Sequence, residues 1–212
     1  MGWKGKSKPR LPPYLAIRSL VCVDQRNKRC GERMRMTMVR PVIMAALLAL
    51  VPVAAQARSL TYKAALSGNS ASAKTGSTAK ATAEIIVDTD AMTVAVRMQV
   101  SGMPVTALWD NLVAAPIGPV HLHQYAGTDL SDPDASVLVF PLPFGPSYRA
   151  TAEGFAVDTG AQSYAKGMAT LGSTASFEAF VAALDRGAIV LNIHTDAFNA
   201  GEISGPVIKA QP

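Results

Sequence analysis

All three histidines of the chain fall in two short segments, His121-Leu122-His123 and Asn192-Ile193-His194-Thr195. Neutral imidazole is a ligand for zinc, copper, iron and nickel, and a hydrogen-bonding group that titrates near physiological pH. A strand sends alternate side chains to one face, so His121 and His123 point the same way. In the second segment Ile189, Leu191 and Ile193 would face a core while Asn192 and His194 share the opposite face. Side chains directly across a strand pair have Cβ atoms about 4.5–5.5 Å apart. If the two segments are neighbouring strands in the right register, the three imidazoles converge. Glu202, in Asn199-Ala-Gly-Glu202, is the nearest candidate for a fourth ligand, or for the group that orients a ligand histidine.

Two readings of these residues stand side by side. One is a site for a single copper or zinc ion held by His121, His123 and His194, with Glu202 in or behind the ligand set. The other is a structural polar cluster, in which a histidine–glutamate contact pins loops to a sheet. Three imidazoles are one ligand short of the four that a structural zinc site uses.

Other residues offer less. Ser147, Ser163 and Ser173 lie in no G-x-S-x-G turn, so a serine nucleophile has no support. Asp129, Asp132 and Asp134 resemble part of a calcium loop, but Pro133 and the missing Gly and Glu defeat an EF-hand and leave a solvated acidic loop. Trp109, Phe140 and Phe144 read as core or lid residues.

The elements that must position the histidines have a period of two. Met92 to Val100 alternates apolar and mostly polar residues, and Ala81 to Val87 does the same. Asp88-Thr89-Asp90 between them is turn chemistry, which predicts a hairpin. Leu60 to Leu66 reads as a first strand, and Gly68 to Gly76 as a Ser/Gly/Ala loop. Val120–Tyr125, Val137–Leu142, Ala152–Val157 and Ile189–His194 are further short strands. Ile203–Ile208 is a last one, where Gly205-Pro206 points to an edge or a bulge. Phe177, Phe180, Val181 and Leu184 recur at helical spacing and Arg186-Gly187 supplies a stop, so Ala175–Asp185 reads as a helix. Leu108–Val113 reads as a short helical turn. The pattern is mainly β: a Greek-key β-sandwich or barrel with one or two short inserted helices.

Composition bounds where this domain works. The chain has 212 residues and a net charge of +5, but its basic residues are concentrated at the N-terminus. Val39–Ala54 is an apolar run opened by Arg35 and Arg40 and followed by the small-residue site Ala55-Gln56-Ala57. This is the anatomy of a signal peptide at residues 34–57, cleaved after Ala57. Residues 1–33 precede Met34, Met36 and Met38 and read as a non-native or disordered extension. Residues 58–212 carry nine Lys/Arg and thirteen Asp/Glu, a net charge of −4, so nucleic acid is not an expected partner. Both cysteines, Cys22 and Cys30, precede the cleavage site. The expected product is an exported, disulfide-free domain, periplasmic or secreted, with no integral membrane anchor after cleavage.

In order and at domain-length spacing, Val120-His-Leu-His123, Leu191-Asn-Ile-His194-Thr195 and Gly201-Glu-Ile-Ser-Gly205 resemble the CHRD domain, a family named from chordin and widespread in exported bacterial proteins. The resemblance spans roughly residues 59–209 and includes Asn192, Thr195, Gly201 and Gly205 as structural motif positions. Ser204 and Pro206 stand where the family usually has Arg and Gln. The family implies an extracytoplasmic β-sandwich and an undefined biochemical role. His121-Leu-His-Gln-Tyr125 also resembles the copper-ligating strand of copper–zinc superoxide dismutases. Three histidines fall short of that two-metal set, and the stabilising disulfide of that class has no cysteine here.

The sequence therefore leads to a non-enzymatic exported CHRD module, acting in binding or envelope structure with an envelope or extracellular protein as its partner. The alternative is a copper- or zinc-dependent periplasmic protein or enzyme that uses His121, His123 and His194 directly.

Overall fold

The computed structural model describes residues 58–132 and 135–211. The N-terminal extension, the signal segment, Pro133 and Asp134 lie outside the described residues. The strands are β1 (Ser59–Ser67), β2 (Lys80–Asp88), β3 (Thr93–Ser101), β4 (Val120–Tyr125), β5 (Ser136–Leu142), β6 (Tyr148–Ala150), β7 (Gly154–Asp158), β8 (Gln162–Ser163), β9 (Ile189–Ile193) and β10 (Ile203–Lys209). Three short helices, α1 (Asp110–Val113), α2 (Tyr164–Thr170) and α3 (Phe177–Asp185), are inserted between them.

The alternation seen in the sequence is the alternation of burial. Val94, Val96, Met98 and Val100 of β3 are buried, while Arg97 between them sits on the outer face near Glu84 and Asp158. The strands form one antiparallel sheet in the order β5-β4-β9-β10-β1-β2-β3-β7-β6, with β8 also paired to β3. The sheet curls. Ile85, Val96 and Met98 from one half share a single apolar core with Leu122, Leu142, Leu191 and Ile203 from the other. The sheet is open, ending in β5 and β6, an arrangement compatible with the expected sandwich or barrel.

Helix α3 begins two residues later than the spacing predicts. Its N-cap Ser176 accepts a hydrogen bond from the Ala179 amide, and Phe177, Phe180 and Leu184 turn inward. Gly187, at φ +72°, ends it. Helix α2 has no counterpart in the sequence reading. Its Tyr164 packs against Phe140, Phe177 and Phe180 and closes that end of the core. No helix among the described residues is long and apolar enough to cross a membrane.

Strand β10 corrects an expectation. Gly205-Pro206 marks neither an edge nor a bulge: β10 lies inside the sheet, between β9 and β1. Its register with β1 runs from Ala64↔Val207 to Ser67↔Ser204 without a shift, and the pairing lapses only at Gly205 and Pro206. Proline lacks the amide that a ladder needs, so the ladder skips it, while the β9 side keeps both residues in register. A Cβ at Gly205 would lie 2.1 Å from the Ala65 carbonyl oxygen. Glycine is what lets β1 and β10 come together there.

Candidate metal centre

Strands β4 and β9 are neighbours, with His121 opposite Asn192, Leu122 opposite Leu191 and His123 opposite Val190. Leu122 and Leu191 point into the core, so parity puts His121, His123 and Asn192 on the other face. His194 follows the end of β9 and is tied to the start of β4, its amide donating to the Pro119 carbonyl at 2.9 Å. The chain also irregularly pairs β4 with β5. Phe140 faces Leu122 but Leu138 faces His123, so Val139 is an extra residue at the level of the site. Bulges of this kind re-aim side chains next to functional centres.

The three imidazoles meet. Ring centroids are 4.5 Å apart for His121–His194, 4.8 Å for His121–His123 and 6.1 Å for His123–His194. One nitrogen from each ring lies within 4.8 Å of the others. Although on the outer face of the sheet, His121 and His194 are only 3% and 7% exposed. The β1–β2 loop lies over this face, where Ser70 and Ser72 hydrogen-bond the buried Ser204 hydroxyl at 2.5 and 2.6 Å.

Hydrogen bonds fix which nitrogen is free. His121 Nδ1 lies 3.1 Å from the Gly118 carbonyl, and His194 Nδ1 lies 2.9 Å from the Asn199 carbonyl. A carbonyl only accepts, so each Nδ1 carries the proton and each Nε2 keeps its lone pair. His123 Nδ1 lies 3.1 Å from the Ser136 hydroxyl. The Nε2 atoms of His123 and His194 are buried with no partner. Leaving such an atom unsatisfied costs about 1–3 kcal/mol, a cost that a bound ion would remove.

Burial holds the rings neutral. Desolvation pushes His121 down to about 2, aided by His194 and His123, against the Gly118 hydrogen bond. His123 falls to about 4, again mainly from desolvation and then from His194. His194 is lowered by the same burial. Neutral imidazole is the ligand form, so the donor set suits a borderline or soft cation. A metal with bonds of about 2.0–2.1 Å sets its ligand nitrogens about 3.4 Å apart, so the side chains must draw together by about an ångström on binding.

The remaining candidates fall around this centre. Glu202 does not join the histidines. Its carboxylate accepts from the Ser77 and Thr195 hydroxyls, both at 2.6 Å, and its backbone carbonyl accepts from Thr75 at 2.7 Å. Glu202 and Thr195 thus clamp the β1–β2 loop to the segment that carries His194, and the histidine-orienting role passes to two carbonyls and Ser136. Asn192 is buried and its Oδ1 has no partner. Gly201, at φ +121°, makes room for that amide: a Cβ there would lie 2.5 Å from Asn192 Oδ1. Trp109 donates its amide to the His194 carbonyl at 3.1 Å. Asp129 caps its own loop through the Ser131 amide. Phe140 is core, whereas Phe144 is partly exposed.

Sequence reasoning missed Gly118, Asn199 and Ser136, which hold the rings. Backbone acceptors leave no side-chain signature, although the Gly118-Pro119 pair is a turn signal just before the first histidine strand.

A family model described as the CHRD domain matches residues 62–207. No curated protein matches the chain. The match spans most of the sequence and contains all three histidines, and the chain belongs to the CHRD-domain family.

Proposed function

We propose that this CHRD-family protein is an exported binding module of the cell envelope that holds one transition-metal ion on His121, His123 and His194. The observation that carries the reading is the pair of buried, partnerless Nε2 atoms on His123 and His194, set beside His121 in a three-imidazole cluster. Among the described residues this is the one grouping of His, Cys, Asp and Glu with metal-holding geometry. The Nδ1 contacts support it, since ligand histidines characteristically donate their other N–H to a carbonyl or similar group. Export is supported by the leader-like residues 34–57 and by membership of a family of exported domains. Two roles follow from one site: the ion staples β4 to the end of β9, and the module presents it from a disulfide-free scaffold. We place the protein among binding modules rather than catalysts.

The test is metal analysis of the purified protein before and after chelator treatment, paired with thermal melts. One copper or zinc per chain, and a higher melting temperature on adding it back, is the expected result. No stoichiometric metal and no melting shift with either ion would end the reading.

A further inference from the structure

The donor set also points to which ion. We infer that the site selects monovalent copper, Cu(I), over divalent zinc and over Cu(II). This rests on the metal reading above and adds the charge and oxidation state of the ion.

The argument is one of charge and coordination number. The cluster consists of three imidazoles and no carboxylate among the described residues. Glu202, adjacent in the fold, has both carboxylate oxygens engaged by Ser77 and Thr195. The carbonyl partners of His121 and His194 keep the proton of each ring on Nδ1 and so turn Nε2 toward an ion. A cation there keeps its full charge in a buried setting. Born desolvation scales with the square of the charge, so a divalent ion meets about four times the penalty of a monovalent one. Zinc takes four ligands, and where three are imidazoles the fourth is a water that it ionises. A zinc ion here therefore also needs room for that hydroxide beside His121 and His194, which are almost fully buried. Cu(I), a d¹⁰ ion of single charge, is satisfied by three nitrogen donors. The buried Asn192 Oδ1 is a neutral oxygen and does not change the charge balance.

The experiment uses the purified protein under anaerobic conditions. It is titrated with Cu(I) against a Cu(I)-specific chromophoric chelator and, separately, with Zn(II) against a zinc indicator. The copper-loaded protein is then exposed to air and its electron paramagnetic resonance spectrum recorded. One Cu(I) per chain, bound at least about 100-fold more tightly than Zn(II), with a silent spectrum in air, is the expected outcome. Zinc binding of equal or greater strength, or a one-equivalent Cu(II) signal, overturns the inference while the metal site itself stands. Binding of neither ion overturns both. His194→Ala and the less buried His123→Ala should each abolish Cu(I) binding, with the circular-dichroism spectrum showing that at least one variant is folded. Tight Cu(I) binding that survives in both folded variants overturns the assignment.

Discussion

The rings of His121 and His194 lie 4.5 Å apart because the β4–β9 register sets His121 opposite Asn192 and the His194 amide is pinned to Pro119. Backbone pairing brings the two segments together, and the Asn199 carbonyl in the loop after β9 holds the His194 ring. The backbone thus brings the rings near one another without an ion, and the side chains close the remaining gap when one binds.

Ser136→Ala removes the hydroxyl that holds His123 Nδ1. Loss of such an outer partner weakens metal binding by about 10- to 100-fold, with little change in the fold because β5 pairing is through the backbone. Competition titration of the variant beside the parent checks it.

Glu202→Ala removes two acceptors at once, stranding the Ser77 and Thr195 hydroxyls. Charge-assisted hydrogen bonds contribute about 1.5–3 kcal/mol each, and partial exposure of Glu202 puts the combined loss near about 2 kcal/mol. Urea unfolding measures it. Metal affinity should fall as well, since the clamp holds the β1–β2 loop over the histidines, whereas a directly ligating glutamate would make the metal loss the dominant effect.

Much of this was legible in the sequence. Strands β1 to β3 are readable because one face of each is apolar and the other mostly is not, and β4, β5 and β9 because each is a short, largely apolar run bounded by Gly and Pro. Parity puts His121 with His123 and Asn192 with His194, and the β4–β9 register is what joins the two sets. Strands β6 and β8 are too short to show a period. Helix α2 shows only Tyr164 and Met168 as buried positions and carries Gly167, so its pattern is weak. β10 was misread because an interior strand can skip its proline when a neighbour on the other side keeps the register. The role of Glu202 was not legible, since the hydroxyls that claim it come from a distant loop and from the residue beside His194.

The metal-free protein should lose stability as pH falls below about 6.5. The histidines are lowered in the fold, His123 to about 4 and His121 to about 2. The unfolded chain takes up protons near its ordinary value while the folded chain does not, so the unfolded state binds more protons and ΔG of unfolding drops with pH. The slope reaches about 1.4 kcal/mol per pH unit for each histidine involved. Unfolding titrations at pH 7.5 and 5.5 test this, and the double variant His121→Asn, His123→Asn should flatten the difference.

Gly201→Ala forces a side chain against the Asn192 amide at a positive φ. Strain of this type costs about 1–3 kcal/mol, and the displaced Asn192 lies directly across from His121. A lower melting temperature and weaker metal binding should appear together. A melting temperature equal to the parent's would show that the amide has room to move.

The most direct test of the shared site is a long-range proton–nitrogen spectrum of the three ¹⁵N-labelled histidines during addition of one equivalent of a diamagnetic ion, Cu(I) or Zn(II). The account predicts that His121 and His194 keep protonated Nδ1 atoms, that His123 carries its proton on Nδ1 once the ion is bound, and that all three Nε2 resonances shift together and saturate at one ion per chain. Nε2 resonances that stay in place, or that move for only one ring, would contradict it.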